Sequence, residues 1–439
     1  MKLDKILGFG RNIIPKPIFT LGKPIYHWIL AVTGNLVYRF PGRKLIVIGV
    51  TGTNGKSTTT ELINAVLKAN DIKTGMLSTV AFEISGKRHD NITNRTTLGR
   101  WQTPKLLRQM IIAGCTHVVI EVASEGLVMH RVWGIPFDIA VFTNLSPEHL
   151  NTHKDMAGYR AAKGILFSKL TKSKFKGVPK TIITNIDDPE YQYFHNFEAD
   201  KKISFGISKG DVWANDISLG TETKYEIIDS NQKFLVTTKL PAKFNIYNQL
   251  AAYSVGKALS LDPVKNIQGI ESVTRVAGRM QEIPNKLGIK IFIDYAVTPE
   301  SFELLFAELR RISKGRIISV FGATGDRDKE KRPKLGVVAG KMTNYTILTD
   351  EESYSENPSI IVDSIAEGLE TVRKGNYEII LNRKDAIKRA LEVAEPTDTV
   401  VVTGMGHQKY RNVGGDKKIE WDEAKVISEI INELESSKK

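Results

Sequence analysis

One short segment of the chain, residues 51–58, has the composition of a loop that binds nucleotide phosphates. It reads Thr51-Gly52-Thr53-Asn54-Gly55-Lys56-Ser57-Thr58 and follows an apolar run that ends at Val50. Glycines let the backbone N–H groups face phosphate oxygens, the lysine can reach the terminal phosphates, and the serine hydroxyl can ligate Mg²⁺. A helix that begins at the loop would add the partial positive charge of its N-terminus. The strict pattern has glycine at position 50, so Gly52 must supply the flexibility here.

Two further side chains could serve a metal ion near that loop. Glu121 ends the apolar run 118–122, where an isolated charge is costly to bury unless it meets a cation. His149 lies just past a second apolar run, 140–143. Ligands of doubly wound sheets bind at the carboxyl ends of the strands, and both residues fall at such ends. Taken alone, each residue also fits an ordinary structural role.

Predicted strands and helices alternate along the chain, and they would position these residues. Apolar, β-branched runs predict strands at 44–50, 116–122, 137–143 and 181–185, and a second series at 290–294, 316–321, 345–349 and 399–403. Amphipathic periodicity predicts helices at 57–70, 103–113, 245–260, 299–311, 384–394 and 423–434. Nearly continuous apolar strands are typical of parallel sheets buried on both faces. We therefore predict an α/β protein with two doubly wound domains.

The order of these elements predicts three parts. A short basic segment occupies residues 1–43. A central domain of the phosphate-loop type occupies 44–275, with an antiparallel or irregular stretch at 205–240. A Rossmann-like α/β domain occupies 276–439.

Composition narrows the class of protein further. The 439 residues contain 41% hydrophobic and 25% charged residues, which excludes a disordered or collagen-like chain. The single cysteine cannot form an internal disulfide and fits a cytoplasmic location. The net charge of +13 favours anionic partners. Nucleic acid ranks low among them, because basic and aromatic residues are not interleaved as on nucleic-acid-binding surfaces.

The N-terminal segment leaves two interpretations open. Its apolar stretch, residues 25–38, is shorter than the ~20 residues of a membrane span, and no secretory signal pattern is evident. The aromatic residues Tyr26, Trp28, Tyr38 and Phe40 could contact a membrane surface peripherally. The other interpretation is a helix packed on the next domain.

A set of motifs in fixed order resembles the Mur ligase superfamily, and within it the MurE type (UDP-N-acetylmuramyl-tripeptide synthetase). The resemblance runs from about residue 44 to the C-terminus. Beyond the phosphate loop, its motifs are Glu121-Val122-Ala123-Ser124-Glu125-Gly126-Leu127, Phe142-Thr143-Asn144-Leu145-Ser146-Pro147-Glu148-His149, Tyr159-Arg160-Ala161-Ala162-Lys163, Phe244-Asn245-Ile246-Tyr247-Asn248, Gly278-Arg279-Met280, Asp294-Tyr295-Ala296, Gly325-Asp326-Arg327-Asp328 and Gly404-Met405-Gly406-His407-Gln408.

The resemblance implies an ATP-dependent amide ligase. In the family, ATP phosphorylates a substrate carboxylate, and an amine captures the acyl phosphate. It implies Ser57 and Glu121 as ligands of one Mg²⁺ ion and His149 as a ligand of a second. It also implies a metal-binding carbamate on Lys163, which sequence alone would leave as a surface lysine. Lys56 would neutralise phosphate charge. Asn248, Arg279 and Asp294 match contacts to adenine, phosphate and ribose.

The same resemblance assigns the remaining substrate contacts. Thr96, Thr97, Ser124 and Arg131 match contacts to a UDP-N-acetylmuramoyl-dipeptide, and Arg131 suits an anionic group. Arg327 matches the residue that holds the α-carboxylate of the incoming amino acid, although without the family it would be a solvated loop residue. Asp350, Glu351, Gly404 and Gln408 match the region that selects the amino-acid side chain.

The sequence differs from the family pattern in several places, and the family's residue roles do not carry over there. The large N-terminal uridine-binding domain of the family has no counterpart in the short first segment. Residues 350–353 read Asp-Glu-Glu-Ser instead of the Asp-Asn-Pro-Arg of diaminopimelate-adding enzymes, and Gln408 replaces a glutamate. Both discriminating charges for diaminopimelate are thus absent, and the acids at 350–352 suit a cationic side chain such as that of lysine.

The sequence is also compatible with other functions. The acceptor could be a lipid-linked muropeptide, a folate or an amino-acid polymer. The chain could also be a nucleotide-dependent switch that hydrolyses ATP without ligation. The paired threonines and Arg131 favour the muropeptide. We expect a monomer whose domains close around the substrates.

Overall fold

The computed structural model describes residues 16–93, 95–148, 150–220, 222–414 and 417–437. The first part of the chain contains, in order, α1 (Lys16–Val37), β1 (Ile46–Thr51), α2 (Lys56–Ala69), β2 (Thr74–Leu77), β3 (Ala81–Ile84), β4 (Lys87–Asp90), α3 (Gln102–Ile112), β5 (His117–Glu121), α4 (Ser124–Val128), β6 (Ile139–Phe142), α5 (Leu150–His153), α6 (Met156–Ser168), β7 (Thr181–Asn185), α7 (Tyr191–His195), β8 (Lys201–Ile207), β9 (Val212–Leu219), β10 (Thr223–Asp229), β11 (Gln232–Thr238), α8 (Lys243–Ala258) and α9 (Pro263–Ser272).

The second part of the chain continues with β12 (Gln281–Glu282), β13 (Lys290–Asp294), α10 (Pro299–Ile312), β14 (Ile317–Phe321), α11 (Lys331–Met342), β15 (Tyr345–Leu348), α12 (Pro358–Glu370), β16 (Tyr377–Ile379), α13 (Arg383–Val393), β17 (Thr399–Thr403), β18 (Tyr410–Asn412), β19 (Lys418–Glu420) and α14 (Glu423–Ser437).

The central sheet explains where the first site residues meet. Its strand order is β11-β10-β9-β8-β7-β6-β1-β5-β2-β3-β4, so β1 lies between β6 and β5 and pairs with both in parallel. The carboxyl ends of these three strands therefore lie side by side at one edge of the sheet. The loop after β1, Glu121 at the end of β5 and the segment after β6 all start from that edge, as expected of a doubly wound sheet.

The second sheet has the order β12-β13-β17-β14-β15-β16 and is parallel apart from the short β12. Both sheets are covered by helices on both faces. In the central sheet, α2 and α8 pack on one face and α3 and α6 on the other. In the second sheet, α10, α11 and α12 face α13 and α14 across the strands. The predicted α/β class with two doubly wound sheets is confirmed.

The N-terminal helix α1 packs on two loops of the central part. Asn35 Nδ2 donates to the carbonyl of Trp133 over 2.8 Å, and the ring of Tyr38 meets that of Trp101 edge-on at 6.4 Å. Ile25 and Ile29 on this helix are exposed, and Trp28 is partly exposed while its ring meets that of Trp133 edge-on at 6.1 Å. No helix in the described residues has both the length and the apolar character that a bilayer span requires.

The sequence-based elements agree with the structure within a few residues, but several were missed. The hairpin strands β3 and β4 extend the central sheet beyond β2, and none of the three was predicted. The four residues of β4, Lys87–Asp90, are all exposed and polar. They carry no apolar alternation that could mark a strand. The predicted antiparallel stretch is confirmed for β9, β10 and β11, whereas β8 pairs with β9 in parallel.

Candidate active site

Hydrogen bonds from the segment that follows β6 fix the conformation of the loop between β1 and α2. The Asn54 N–H donates to Asn144 Oδ1 over 2.8 Å, and Thr143 Oγ1 donates to the Asn54 carbonyl over 2.7 Å. Gly55 adopts φ +81° directly before the helix, a conformation that favours glycine. A Cβ atom at this position would lie 2.3 Å from Asn248 Oδ1. The loop thus presents its backbone and the α2 N-terminus toward one cavity, as phosphate binding requires.

Two lysines converge on the carbonyl oxygen of one residue in this loop. Lys56 Nζ donates to Gly52 O over 3.0 Å and to Thr53 O over 2.6 Å. Lys163 Nζ, from α6, donates to the same Gly52 O over 2.7 Å and lies 4.2 Å from the centre of the Tyr159 ring. The Lys56 ammonium would be available to phosphate oxygens that enter the loop.

Lys163 is a buried residue, contrary to its expected place on the surface. Its side chain is 1% exposed. Burial, and secondly the charge of Lys56, hold the pKa of the Lys163 amine well below its usual range. A helix position facing the core is the physical reason, since Tyr159, Ala162 and Leu166 on the same helix are buried as well. A buried lysine with a lowered pKa keeps a larger fraction of its amine neutral and nucleophilic.

Ser57 and Glu121 form a pair of oxygen donors beside the two lysines. Ser57 Oγ donates to Glu121 Oε2 over 3.0 Å, and the N–H and hydroxyl of Thr79 donate to the two carboxylate oxygens at 2.8 Å each. The Glu121 side chain is 1% exposed. Hydroxyl and carboxylate oxygens are the ligands that Mg²⁺ prefers, and phosphates commonly complete its shell.

Among the described residues, Ser57 and Glu121 are the predicted metal ligands that lie next to each other. His149 lies outside the described residues. Within those ranges, no cluster of three or more histidine, cysteine, aspartate or glutamate side chains could hold a metal ion by itself. The chemistry of Ser57 and Glu121 fits a magnesium ion whose other ligands come from a phosphate, from water or from a carboxylated lysine.

Residues from both sheets meet around the loop. Arg279, which precedes β12, reaches Ser57 Oγ at 3.4 Å and lies over the ring of Tyr295. Asp294 ends β13 and accepts the Met280 N–H over 2.7 Å, and burial raises the pKa of this carboxyl. Asn248 on α8 accepts the Thr59 hydroxyl over 3.1 Å. The three predicted nucleotide contacts thus line one cleft with the loop.

Arg95 and Arg131 make a second wall of the cleft cationic. Arg131 Nη1 donates to the Thr97 carbonyl over 2.9 Å, and Thr97 Oγ1 accepts the Ala123 N–H over 2.9 Å. Arg95 was not predicted and also lines this wall, as do the predicted residues Thr96, Thr97, Ser124 and Arg131. Burial, and secondly the charge of Arg95, lower the pKa of Arg131. Two guanidinium groups that repel each other here would gain from an anionic group.

The third wall belongs to the second sheet. Arg327, Lys331, Glu352, Tyr354 and Gln408 line it. Arg327 was predicted as a site residue; it is exposed, as expected of a solvated loop residue, and it lies on the cleft. Of these five, Lys331 and Tyr354 were missed as site residues, and only their positions after β14 and β15 mark them. Glu352 was predicted only as one of the acids at 350–352 that suit a cationic side chain.

Some predicted site residues lie behind the cleft surface. Asp350 Oδ2 pairs with Arg411 Nη2 at 2.9 Å. Glu351 is buried and accepts the Thr324 hydroxyl over 2.9 Å. Its Oε2 fills the space where a Cβ on Gly404 would lie. Thr51 donates to the Val122 carbonyl, and Gly52 offers only its carbonyl oxygen to the lysines. These residues support the walls without lining the cleft.

Comparison with known proteins places this geometry in a family. Residues 50–256 match the Mur ligase middle domain, and residues 278–406 match the Mur ligase glutamate ligase domain. The UDP-N-acetylmuramoyl-L-alanyl-D-glutamate–2,6-diaminopimelate ligase 1 of Clostridium acetobutylicum is 35% identical over 411 residues, covering 92% of this chain and 82% of the relative. The chain belongs to the Mur ligase family.

Two further comparisons agree with this assignment. The corresponding ligase of Caldanaerobacter subterraneus subsp. tengcongensis is 37% identical to this Mur ligase over 404 residues, covering 91% of this chain and 80% of the relative. A solved structure of a UDP-N-acetylmuramoyl-L-alanyl-D-glutamate–2,6-diaminopimelate ligase superposes with a TM-score of 0.59 at 27% identity, covering 89% of this chain and 79% of the other. This Mur ligase is thus an ATP-dependent amide ligase of peptidoglycan precursor assembly.

Proposed function

We propose that this Mur ligase adds an amino acid to the free carboxylate of a UDP-N-acetylmuramoyl-dipeptide. One observation carries the proposal. The phosphate loop, the Arg95–Arg131 wall and the Arg327 wall line the same cleft, which encloses about 760 Å³. The cleft therefore offers separate places for a triphosphate, an anionic acceptor and an amino acid with their reacting groups close together.

The chemistry joins these three places in two steps. An acceptor carboxylate oxygen forms a bond to the γ-phosphorus of ATP as the bond to ADP breaks. The amine nitrogen of the amino acid then attacks the carbonyl carbon of the acyl phosphate, loses a proton, and phosphate leaves. Charge accumulates where the carboxylate and the phosphate meet, so cations held in place before the reaction stabilise the transition state. Lys56 is well placed to stabilise this charge, because hydrogen bonds from its Nζ to the carbonyls of Gly52 and Thr53 hold the ammonium at the phosphate loop.

The metal site is the second part of the proposal. Ser57 and Glu121 would hold one Mg²⁺ ion and His149 a second, and a carbamate on Lys163 would help to hold the metal. Bound magnesium would neutralise phosphate charge and orient the terminal phosphate. Carbamylation joins the neutral Lys163 amine to the carbon of CO₂ and releases a proton, and the burial of this lysine supports that reaction. Asn248, Arg279 and Asp294 would contact adenine, phosphate and ribose from both sheets.

The two other walls of the cleft would bind the acceptor and the amino acid. Thr96, Thr97, Ser124 and Arg131 would bind the muramoyl-dipeptide. Arg95 and Arg131 form no ion pair with any residue that the structure describes, which supports an anionic acceptor. Arg327 would hold the α-carboxylate of the amino acid. We propose a domain boundary near residue 275, between the two sheets, and a monomeric enzyme, since one chain supplies every wall of the cleft.

The N-terminal helix suggests how the enzyme is placed in the cytoplasm. Ile25, Trp28 and Ile29 form an exposed apolar patch on α1, and residues 1–43 carry seven lysine and arginine residues against one aspartate. An apolar patch on a basic segment is the pattern of helices that lie on anionic lipid surfaces. We propose a peripheral contact of this patch with the inner membrane surface, which would also allow a lipid-linked acceptor.

The experiment that tests the ligase function measures phosphate release and product mass together. UDP-N-acetylmuramoyl-dipeptide, ATP, Mg²⁺ and a panel of amino acids are supplied, and each substrate is omitted in turn. A ligase releases phosphate only when acceptor and amine are both present, and the product gains the mass of the amino acid minus water. Phosphate release that continues without acceptor and amine, with no new mass, would identify an ATP-hydrolysing switch instead.

A further inference from the structure

Three arginines lie close together between the cleft and the N-terminal helix. Arg95 and Arg131 line the second wall of the cleft, and Arg100 lies just before α3. None of the three forms an ion pair with a residue that the structure describes. An accumulation of like charge without counter-charges is unfavourable by itself, and an anionic ligand would relieve it.

Met129 holds two of these arginines side by side. Arg100 Nε and Nη2 both donate to the Met129 carbonyl, over 2.9 Å and 2.5 Å. Arg131 Nη2 lies 3.5 Å from the Met129 sulfur, and its Nη1 donates to the Thr97 carbonyl over 2.9 Å. These partners are all neutral. They orient the two guanidinium groups without neutralising them, so both charges remain available to a ligand.

The three charges act on one another. Burial, followed by the charge of Arg131 and more weakly that of Arg95, lowers the pKa of Arg100 to about 10. Arg100 therefore stays protonated at neutral pH, and the repulsion persists in the folded protein. A ligand with more than one negative charge would offset this repulsion better than a single carboxylate would.

The place of Arg100 decides which part of an acceptor can reach it. The reacting carboxylate must lie at the phosphate loop, near Lys56, and Arg131 lines the wall beside the loop. Arg100 lies farther out, against α1, where its carbonyl is 2.5 Å from the position of a Cβ on Gly34. An acceptor that extends along this wall therefore brings its opposite end to Arg100. In a UDP-N-acetylmuramoyl-dipeptide, that opposite end is the diphosphate.

We propose that Arg95 and Arg100, next to Arg131, form a subsite for the diphosphate at the far end of the acceptor. A diphosphate ester carries several anionic oxygens, which planar guanidinium groups bind in pairs. This inference rests on the proposed ligase function and specifies how its acceptor is held.

Two acceptors share this chemistry, because a diphosphate can join the sugar to uridine or to a polyprenyl chain. The helix beside Arg100 exposes Ile25, Ile29 and Leu36. Their spacing of four and seven residues places them on one face of α1. That face would lie beside a polyprenyl chain, so both forms of the acceptor belong in the test.

The first test removes the diphosphate from the acceptor. N-acetylmuramoyl-dipeptide is supplied without phosphate, as the UDP form and as the polyprenyl diphosphate form in detergent, together with ATP, Mg²⁺ and a panel of amino acids. We expect kcat/KM for the better diphosphate form to exceed that for the phosphate-free form by at least about a hundredfold. The larger value of the two diphosphate forms identifies the source.

The failures of the two proposals differ in this experiment. A phosphate-free acceptor that is used as well as both diphosphate forms would overturn the subsite and leave the ligase function intact. If no acceptor gives a product with any amino acid, the proposed ligase function itself fails.

The second test removes one guanidinium. Arg100→Gln should raise the KM for the diphosphate acceptor by about tenfold or more, and leave kcat/KM for the phosphate-free acceptor and the KM for ATP unchanged. Arg100→Lys should recover part of the loss, because it keeps the charge. A merely structural role would impair both acceptors alike, and that result, or an unchanged KM, would overturn the proposal.

The matched control is Lys105→Gln, which removes an exposed cation on α3 and should change none of these values. Melting curves establish that the variants are folded. If Arg100→Gln does not fold, Arg95→Gln decides, because Arg95 is exposed and its substitution removes no packing. The same selective loss is expected there, and an equal KM in Arg95→Gln and wild type would then overturn the subsite.

Discussion

The guanidinium of Arg279 lies 3.4 Å from the Ser57 hydroxyl, although the two residues are 222 positions apart in the chain. Ser57 begins the helix after the phosphate loop, and Arg279 precedes the first strand of the second sheet. Contacts of this kind join the two sheets around the proposed triphosphate site. His407 makes another, with its Nε2 atom 3.2 Å from the Thr79 carbonyl.

The first prediction concerns this contact between the two parts of the chain. Arg279→Ala should raise the KM for ATP by about ten- to a hundredfold, because a cation near the phosphates is lost. Arg275→Ala is the matched control, since Arg275 is exposed four residues away. Initial rates against ATP concentration give the measurement. Equal KM values in both variants would show that Arg279 does not serve the nucleotide.

The second prediction concerns the loop lysine. Lys56→Ala should reduce ligation and phosphate release by at least about a thousandfold, because the residue would neutralise charge that develops in the transition state. Lys105→Ala, an exposed lysine on α3, should leave both rates unchanged. Phosphate release within a few fold of wild type in Lys56→Ala would contradict the assigned role.

The third prediction concerns the carbamate on Lys163. Lys163→Ala should lose most activity and recover part of it when formate or acetate is added, because a short carboxylate can occupy the space of the missing carbamate. Lys56→Ala serves as the control that carboxylates should not rescue. Full activity of Lys163→Ala without any additive would rule out the carbamate.

The fourth prediction is a dependence of stability on pH. Burial lowers the pKa of His407 to about 3, from about 6.5 in an unfolded chain. The unfolded state therefore binds a proton between these values and the folded state does not, so the folded state loses stability as the pH falls from 6.5 toward 3. From pH 7.5 to pH 5, this one group removes about 2 kcal/mol of unfolding free energy.

The measurement compares the wild-type protein with His407→Gln. Denaturant unfolding at pH 7.5 and pH 5 gives the free-energy loss for each protein. The variant should lose about 2 kcal/mol less over this interval, since glutamine does not titrate. Identical losses in the two proteins would show that His407 is protonated in the folded state at pH 5.

The fifth prediction tests the apolar patch of α1. The protein should sediment with vesicles that contain anionic lipid, and Trp28→Asp should reduce the bound fraction severalfold by placing a charge in the apolar patch. Leu304→Asp, which changes an exposed leucine on α10, is the control. Equal binding by Trp28→Asp and wild type would exclude this helix as the contact.

The sequence predicted the part of the site that a single strand end or loop defines. The residue types of 51–58 and the position of Glu121 at a strand terminus were sufficient, because parallel neighbours bring their carboxyl ends together. Lys163 needed the family resemblance, since a helix position does not show by itself that a lysine faces the core. Glu352 could not be separated from Asp350 and Glu351 in an acidic run. Only the packed structure shows which of the three lies on the cleft and which are held by Arg411 or Thr324.

The packing of α1 has a consequence for the acceptor wall. Gly34 lies so close to the Arg100 carbonyl that a Cβ would be 2.5 Å away, and Asn35 holds the Trp133 carbonyl. The two loops involved are continuous with Thr97 and Arg131. If the proposed lipid contact tilts the helix, the tilt would act on the residues proposed to bind the acceptor. Membrane binding and acceptor affinity would then be thermodynamically linked.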